Sequence, residues 1–318
     1  MVLNFGILST SSIAPRFIAA VREAGAGEIV AVSSRTLEKA QEKAAAWQIP
    51  AAYGSHEELL RDPDVNVVYI SAVNSQHYPL AKMALELDKH VVCEKPCTTK
   101  AAHTRELFAL ARERNLFFME AEKMLFLPAI LALKEKIAAG ELGEIYMAEL
   151  SHSFPASYNS WMFDKSLGGG PLLSSGIYAV QLLQWLFGEM ASIRGIKSAH
   201  PDGTEWQYIL TGQMKNGVLF SIKNSTRAVL DNTARLFGTK GSAEIPEYWK
   251  ARKAIFCKTG EETEILEFPC EHELVYEAEH IARCFREGLK TSPVVTEKLS
   301  VAGIAALEQV EASWTTNR

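Results

Sequence analysis

The chain has 318 residues, 47% hydrophobic and 22% charged, enough for a sizeable core and suggestive of two domains. A net charge of −5 gives no basic footprint for nucleic acid, and no apolar run is long enough to span a bilayer. Five cysteines without zinc spacing or an even count, and an N-terminus without the charged and apolar regions of a signal peptide, point to a reduced, cytoplasmic protein.

Residues 2–8 read as a buried first strand. The turn Ser9-Thr10-Ser11-Ser12-Ile13-Ala14 follows, then a helix to about Arg22 with Ser11 or Ser12 as its N-cap. Strand, tight turn and helix open a dinucleotide-binding βαβ unit, in which turn glycines let the backbone approach a pyrophosphate at the helix N-terminus. Here serines stand at both turn-glycine positions of G-x-G-x-x-(G/A), and only Ala14 fits. Ser9, Thr10, Ser11, Ser12 and Ile13 are the candidate phosphate contacts; an ordinary capped turn is the plain alternative. The second strand, residues 29–32, ends at Ser33-Ser34-Arg35-Thr36, with a helix through Trp47. An acid at this strand end would bond the ribose of NAD, whereas an arginine would accommodate the 2′-phosphate of NADP. No Asp or Glu stands there, so Ser33, Ser34 and Arg35 favour NADP(H) over NAD(H), against a solvated turn as the bland reading.

Residues 65–71 form another buried strand, leading past Ser71, Asn74 and His77 to a helix from Pro79 to Leu87. Tyr78 and Lys82 match a Tyr-x-x-x-Lys pair by chance. The strand at 90–93 ends in Glu94-Lys95-Pro96. Pro96 fixes its own φ and holds Lys95 extended, which presents a lysine at the carboxyl end of a parallel strand, where doubly wound sheets bind ligands. Cys93 and Cys97 bracket this corner with C-x-x-x-C spacing rather than the redox C-x-x-C. A helix at 100–114 and a strand at 116–120 complete a rhythm that argues for a parallel sheet covered on both faces, a domain over residues 1–121.

From residue 122 the texture changes. A helix at 128–139 precedes a strand at 144–150, and strands at 206–215 and 218–226 flank the hairpin signal Asn216-Gly217. Short strands at 234–238, 243–245, 252–257 and 264–268 follow without intervening helices, so residues 122–318 form an α+β domain with a largely antiparallel sheet. Helices near 273–287 and 297–314 close the chain. Gly168-Gly169-Gly170-Pro171 opens a helix to about Phe187, on which Ser174 and Tyr178, four apart, share a face. Alone, that stretch reads as a loop feeding a core helix.

Five elements in this order and spacing resemble the Gfo/Idh/MocA family of NAD(P)-dependent sugar and polyol oxidoreductases over nearly the whole chain. They are the opening at 6–14, Asn74-x-x-His77, Glu94-Lys95-Pro96, Met119-Glu120-Ala121 and the 168–178 segment. The resemblance implies an N-terminal Rossmann domain, a doubly wound parallel sheet, and a C-terminal α+β domain with an open, mostly antiparallel sheet. It implies catalysis in a cleft between them and a homodimer or higher homo-oligomer through the C-terminal sheet. Ser71, Asn74, His77, Glu94 and Lys95 are counted with the cofactor contacts, Glu94 alternatively holding Lys95. Lys95 would hydrogen-bond the reacting hydroxyl, and Tyr178 takes a position where many members have histidine and some tyrosine. A phenol has a pKa of about 10, and a neighbouring ammonium favours its phenolate. Tyr178 is therefore expected to transfer the proton and Lys95 to orient the substrate and tune the phenol; the reverse assignment is the alternative.

The expected reaction is hydride transfer between NADP(H), with NAD(H) second, and a small sugar, polyol or cyclic diol, without metal. Residues 33–36 and Tyr178 are similar to an NADP-linked branch acting on dihydrodiols and xylose. The chain departs from the family at Ser9 and Ser11 for glycines, Ser174 for aspartate, Leu125 and Leu127 for arginine and histidine, and Met162 for arginine. A less polar substrate is one consequence. Loss of turnover, leaving an NADP(H)-binding sensor, is the other.

Overall fold

Residues 2–155 and 161–315 are described by the computed structural model. Strand β1 (Asn4–Leu8) is almost wholly buried, as a run of Phe, Gly, Ile and Leu without polar alternation requires of a central parallel strand. It is followed by α1 (Ala14–Glu23), β2 (Glu28–Ser33), α2 (Leu37–Trp47), β3 (Ala51–Tyr53), α3 (His56–Leu60), β4 (Val67–Ile70), α4 (Asn74–Glu86), β5 (His90–Glu94), α5 (Ala101–Glu113) and β6 (Phe118–Ala121). The six strands pair in parallel in the order β3-β2-β1-β4-β5-β6. Strand order reverses between β1 and β4, which makes their carboxyl ends the switch point of a doubly wound sheet. Thr36 and Ser55 cap α2 and α3 by accepting the N–H groups of Lys39 and Glu58.

Neither Ser11 nor Ser12 caps α1: the Ser11 carbonyl accepts the Ala14 N–H in a preceding turn, and Ile13 takes the cap position without a side-chain bond. Nor does Pro79 start α4. The helix begins at Asn74 and carries Pro79 in its second turn, because Asn74 and His77 are buried by forming that extra turn. Its missing N–H costs one i→i−4 bond.

The second unit contains α6 (Pro128–Ala138), β7 (Ile145–Ser153), α7 (Ile177–Phe187), β8 (Met190–Ala199), β9 (Glu205–Met214), β10 (Leu219–Ser225), β11 (Thr233–Gly238), β12 (Gly241–Pro246), β13 (Lys253–Lys258) and β14 (Glu264–Glu267). Its sheet runs β14-β13-β12-β11-β7-β10-β9-β8. β7 and β10 pair in parallel and every other neighbouring pair is antiparallel. Gly217, with φ +97°, turns β9 into β10 as its Asn-Gly pair dictates.

The last helices are α8 (Val275–Arg286) and α9 (Glu297–Thr315). The compact units do not follow a single cut after residue 121. His272–Val301 packs with the first unit, which runs through Lys123, while Met124–Glu271 and the chain from Ala302 form the second. The physical reason is polar: Glu273 accepts from both Lys123 and Arg16, and the Lys290 carbonyl accepts the Phe118 N–H at 3.1 Å. Among the described residues no helix is long and apolar enough to cross a membrane.

Candidate functional site

β5 delivers Glu94 as its last residue and Lys95 just beyond, at the carboxyl edge of the parallel sheet. One Glu94 oxygen accepts the Tyr69 hydroxyl at 2.5 Å, and the other accepts the Lys95 N–H at 3.1 Å. Tyr69 is held in turn by stacking on Phe17 of α1, ring centroids 3.6 Å apart. On the far side of the corner, the Pro96 carbonyl faces His77 Nδ1 at 2.8 Å and the Cys97 N–H donates to Glu120 at 2.7 Å. The Lys95–Pro96 peptide is cis. Backbone on both sides of Lys95 is thus tied to strands and a helix, which fixes the root of a long, otherwise mobile side chain.

His77 is a clamp. Its Nε2 faces the Ala72 carbonyl at 3.0 Å, so both ring nitrogens are engaged by backbone and its ring is not free to meet a nucleotide. Only the imidazolium could donate to both carbonyls, yet burial pulls its pKa below the ordinary histidine value. Ser71 is also interior, its hydroxyl 3.5 Å from the Leu8 carbonyl, and Asn74 is buried at the first residue of α4.

The interior behind Lys95 holds ionisable side chains whose burial no motif in the sequence points to. Glu120, Glu122 and Glu277 are fully buried, and Lys123 and Glu273 nearly so. Loss of water pulls the Lys95 ammonium below the usual lysine pKa, opposed by Glu94 and Glu122. Burial, and then Glu120, pushes the Glu122 carboxyl well up; burial and then Glu94 do the same to Glu277. Burial would also raise Glu273, but Lys123, donating at 2.9 Å, and Arg16 outweigh it and hold that carboxyl at about 2. One signal was available: Glu120 lies within the buried strand β6, and Glu122 and Lys123 follow directly on it.

At the β1–α1 turn, Ser9 adopts φ +93°, a conformation that favours glycine. The chain therefore keeps the glycine fingerprint's path at a serine, at a cost of about 1–3 kcal/mol. Ser9 N–H donates to the Ser33 carbonyl at 3.2 Å. The Ser11 hydroxyl is buried without a partner among the described residues, and α1 opens with no side-chain cap. Thr10 and Ile13 are half-buried in the same turn and Ser12 is exposed. An orphaned donor beside an uncapped helix N-terminus suits an anion, so these residues fit a dinucleotide phosphate.

The end of β2 divides. Ser33 is fully buried, its hydroxyl 2.8 Å from His56 Nδ1 and 3.4 Å from the Ile7 carbonyl, and braces the sheet rather than facing solvent. Ser34 is buried too. Arg35 is exposed and makes no ion pair among the described residues.

In the second unit, Leu172–Gly176 is a π-turn, and Tyr178 is the second residue of α7, 7% exposed. The wider turn breaks the α-helical spacing that would set Ser174 and Tyr178 on one face. Ser174 donates instead to the Gly170 carbonyl at 2.9 Å. Leu125 and Leu127 are fully buried core residues. The Met162 carbonyl accepts the Gly170 N–H at 2.6 Å.

Residues 3–122 match the oxidoreductase family with an NAD-binding Rossmann fold, and residues 130–244 match the GFO/IDH/MocA C-terminal domain. The chain is 37% identical over 307 residues to trans-1,2-dihydrobenzene-1,2-diol dehydrogenase of Mus musculus, covering 93% of this chain and 92% of that protein. The Homo sapiens protein of the same name is 35% identical over 323 residues, 98% of this chain and 96% of its own. Among solved structures, levoglucosan dehydrogenase in complex with NADH and levoglucosan has a TM-score of 0.91 at 18% identity, covering 100% of this chain and 98% of that one. The 3-ketoreductase KijD10 from Actinomadura kijaniata, in complex with NADP and TDP-benzene, has a TM-score of 0.89 at 20% identity, covering 99% and 98%. At such identities the two structures speak to the fold alone.

Proposed function

The chain belongs to the GFO/IDH/MocA family of oxidoreductases, and from that premise we propose an NADP(H)-dependent dehydrogenase that oxidises one carbinol of a cyclic diol. It is an NAD(P)-dependent enzyme acting on CH–OH groups of a sugar or cyclic diol. When bound, the nicotinamide supplies or accepts the hydride. Tyr178 exchanges the proton with the substrate oxygen, while the Lys95 ammonium orients that oxygen and stabilises negative charge developing on it. The observation that carries this reading is the Glu94-Lys95-Pro96 corner, pinned through Tyr69, His77 and Glu120.

The diol, rather than an open polyol, is favoured by the dihydrodiol dehydrogenase relatives. Leu125 and Leu127 lie in the core rather than in a site stripped of polar groups, which weakens the sensor alternative. NADP(H) preference is supported by the exposed Arg35 and the absence of an acid at the β2 end. Five free thiols suit a reducing cytoplasm, and the exposed face of the C-terminal sheet suits a homodimer.

The test is titration with NADPH and NADH, followed by tryptophan fluorescence, then turnover of trans-1,2-dihydrobenzene-1,2-diol with NADP+. NADPH is expected to bind at least about tenfold tighter, and Arg35→Ala to erase the difference by weakening NADPH alone. Equal losses for both cofactors would remove Arg35 from the 2′-phosphate. Absence of turnover with any cyclic diol or sugar would return the sensor reading.

A further inference from the structure

The triple glycine before α7 and a buried acid on β9 answer to one device. Glu205, 6% exposed, places Oε1 2.5 Å from the Leu172 nitrogen and accepts that N–H at the start of the π-turn. Gly170, at φ +118°, leaves room for it: a methyl there would stand 2.9 Å from the same oxygen. Gly169 is closed as well, since a methyl would lie 2.5 Å from the Met162 carbonyl. Beneath the turn, Asn224 Nδ2 donates to the Ser175 hydroxyl at 2.6 Å, which donates to the Pro171 carbonyl at 2.9 Å. A methyl on Gly176 would come within 2.5 Å of the Tyr208 hydroxyl. The sheet thus presents Glu205, Tyr208 and Asn224 as a polar floor to the five residues that precede Ile177. A π-turn is one residue wider than an α-turn, so what holds it decides the register at which the following helix begins.

We propose that Glu205 is a positioning residue for Tyr178: by accepting the Leu172 N–H it anchors the π-turn that sets where the phenol stands. The inference rests on the proton-transfer role of Tyr178 argued above. Burial pushes the Glu205 carboxyl up to about 7, against the pull of the Leu172 N–H and Lys197, with Glu311 adding to the rise. Neutral and ionised forms both keep an oxygen for Leu172. Reach, not charge, is therefore the requirement, and two conservative variants separate the two.

Glu205→Asp keeps the charge and withdraws the oxygen by one methylene; Glu205→Gln keeps the oxygen and removes the charge. The readouts are kcat and KM for diol oxidation, NADPH affinity, and hydrogen–deuterium exchange of peptides covering 168–178. Expected is at least an about tenfold loss of kcat in Glu205→Asp, faster exchange across 168–178, and unchanged NADPH affinity; Glu205→Gln stays within about threefold of wild type. Wild-type kcat in Glu205→Asp, or equal losses in both variants, overturns the proposal. Should Glu205→Asp not fold, Asn224→Ala removes the Ser175 bond and leaves Glu205 in place. It must then lower kcat and loosen 168–178, or the proposal falls. Tyr178→Phe distinguishes the premise: if it retains kcat while Glu205→Asp loosens 168–178, the phenol's role fails and the anchor stands. If Tyr178→Phe is inactive and Glu205→Asp is normal, the anchor fails alone.

Discussion

At the scale of single residues, the proposed chemistry turns on Lys95. Its backbone is fixed from three directions while its ammonium is pulled below the usual lysine pKa by loss of water. A desolvated cation next to an oxygen that gains negative charge is worth more than one in water. Lys95→Met keeps the stem's bulk and removes the charge. The expected outcome is a fall in kcat of about 10²–10⁴-fold with NADPH affinity within a few-fold, read by steady-state kinetics and fluorescence titration. Unchanged turnover would take Lys95 out of the mechanism. Ser9 makes the complementary point: it holds the left-handed backbone of the glycine turn at a side chain that penalises it, so the turn's path is set by its surroundings rather than by local preference.

At the scale of elements, what was legible in the sequence follows from how local each cause is. β1, β4 and β5 could be read because strands buried on both faces are apolar throughout, and the β9–β10 hairpin because Asn216-Gly217 dictates its turn. β8 was missed: its burial alternates irregularly and it carries Arg, Lys and Gly. The start of α4 was misplaced because Pro79 gives a local start signal that burial of Asn74 and His77 overrides. The π-turn could not be read at all, since Glu205 and Asn224 bind it from 33 and 49 residues away. Likewise, motifs point to Lys95 and Tyr178 as candidates, but not to the clamps on the Lys95 corner at Tyr69, His77 and Glu120. The placement of α8 in the first unit is another long-range effect, and it has a pH signature. Glu273 titrates at about 2 in the fold against an ordinary 4.5, so between those values the unfolded chain binds more protons. Stability from this cluster is therefore present above about pH 4.5 and lost as pH falls toward 2. Glu273→Gln is expected to flatten that acid limb and to cost about 2–4 kcal/mol at neutral pH, by taking a carboxylate from the buried Lys123. Thermal melts from pH 2 to 7 measure both, and an unaltered acid limb would exclude the cluster as its cause.

At the scale of the whole molecule, the C-terminal sheet leaves one face in water that an isolated protein has little reason to keep apolar. Strand pairing sets Phe237 opposite Met147 and Met147 opposite Leu219. On the same face Ile209 lies opposite Ile196. Their exposures run from 37% for Phe237 to 69% for Ile196, whereas the alternate residues Ala148, Leu150, Leu210, Phe220 and Leu236 form the covered side. Alternation that is apolar on both sides of a mostly antiparallel sheet means a second layer is due on the open side. A second copy can supply it by presenting the same face about a two-fold axis, a self-complementary contact. With a net charge of only −5 on 318 residues, long-range repulsion between copies is weak at physiological salt. The expected state is a dimer at micromolar concentration in sedimentation equilibrium. Ile209→Lys combined with Leu219→Glu should give monomers with an unchanged circular dichroism spectrum, because both side chains point away from the core. A wild-type monomer at those concentrations would assign the open face to some other partner, and a dimer that survives the double substitution would place the contact elsewhere on the chain.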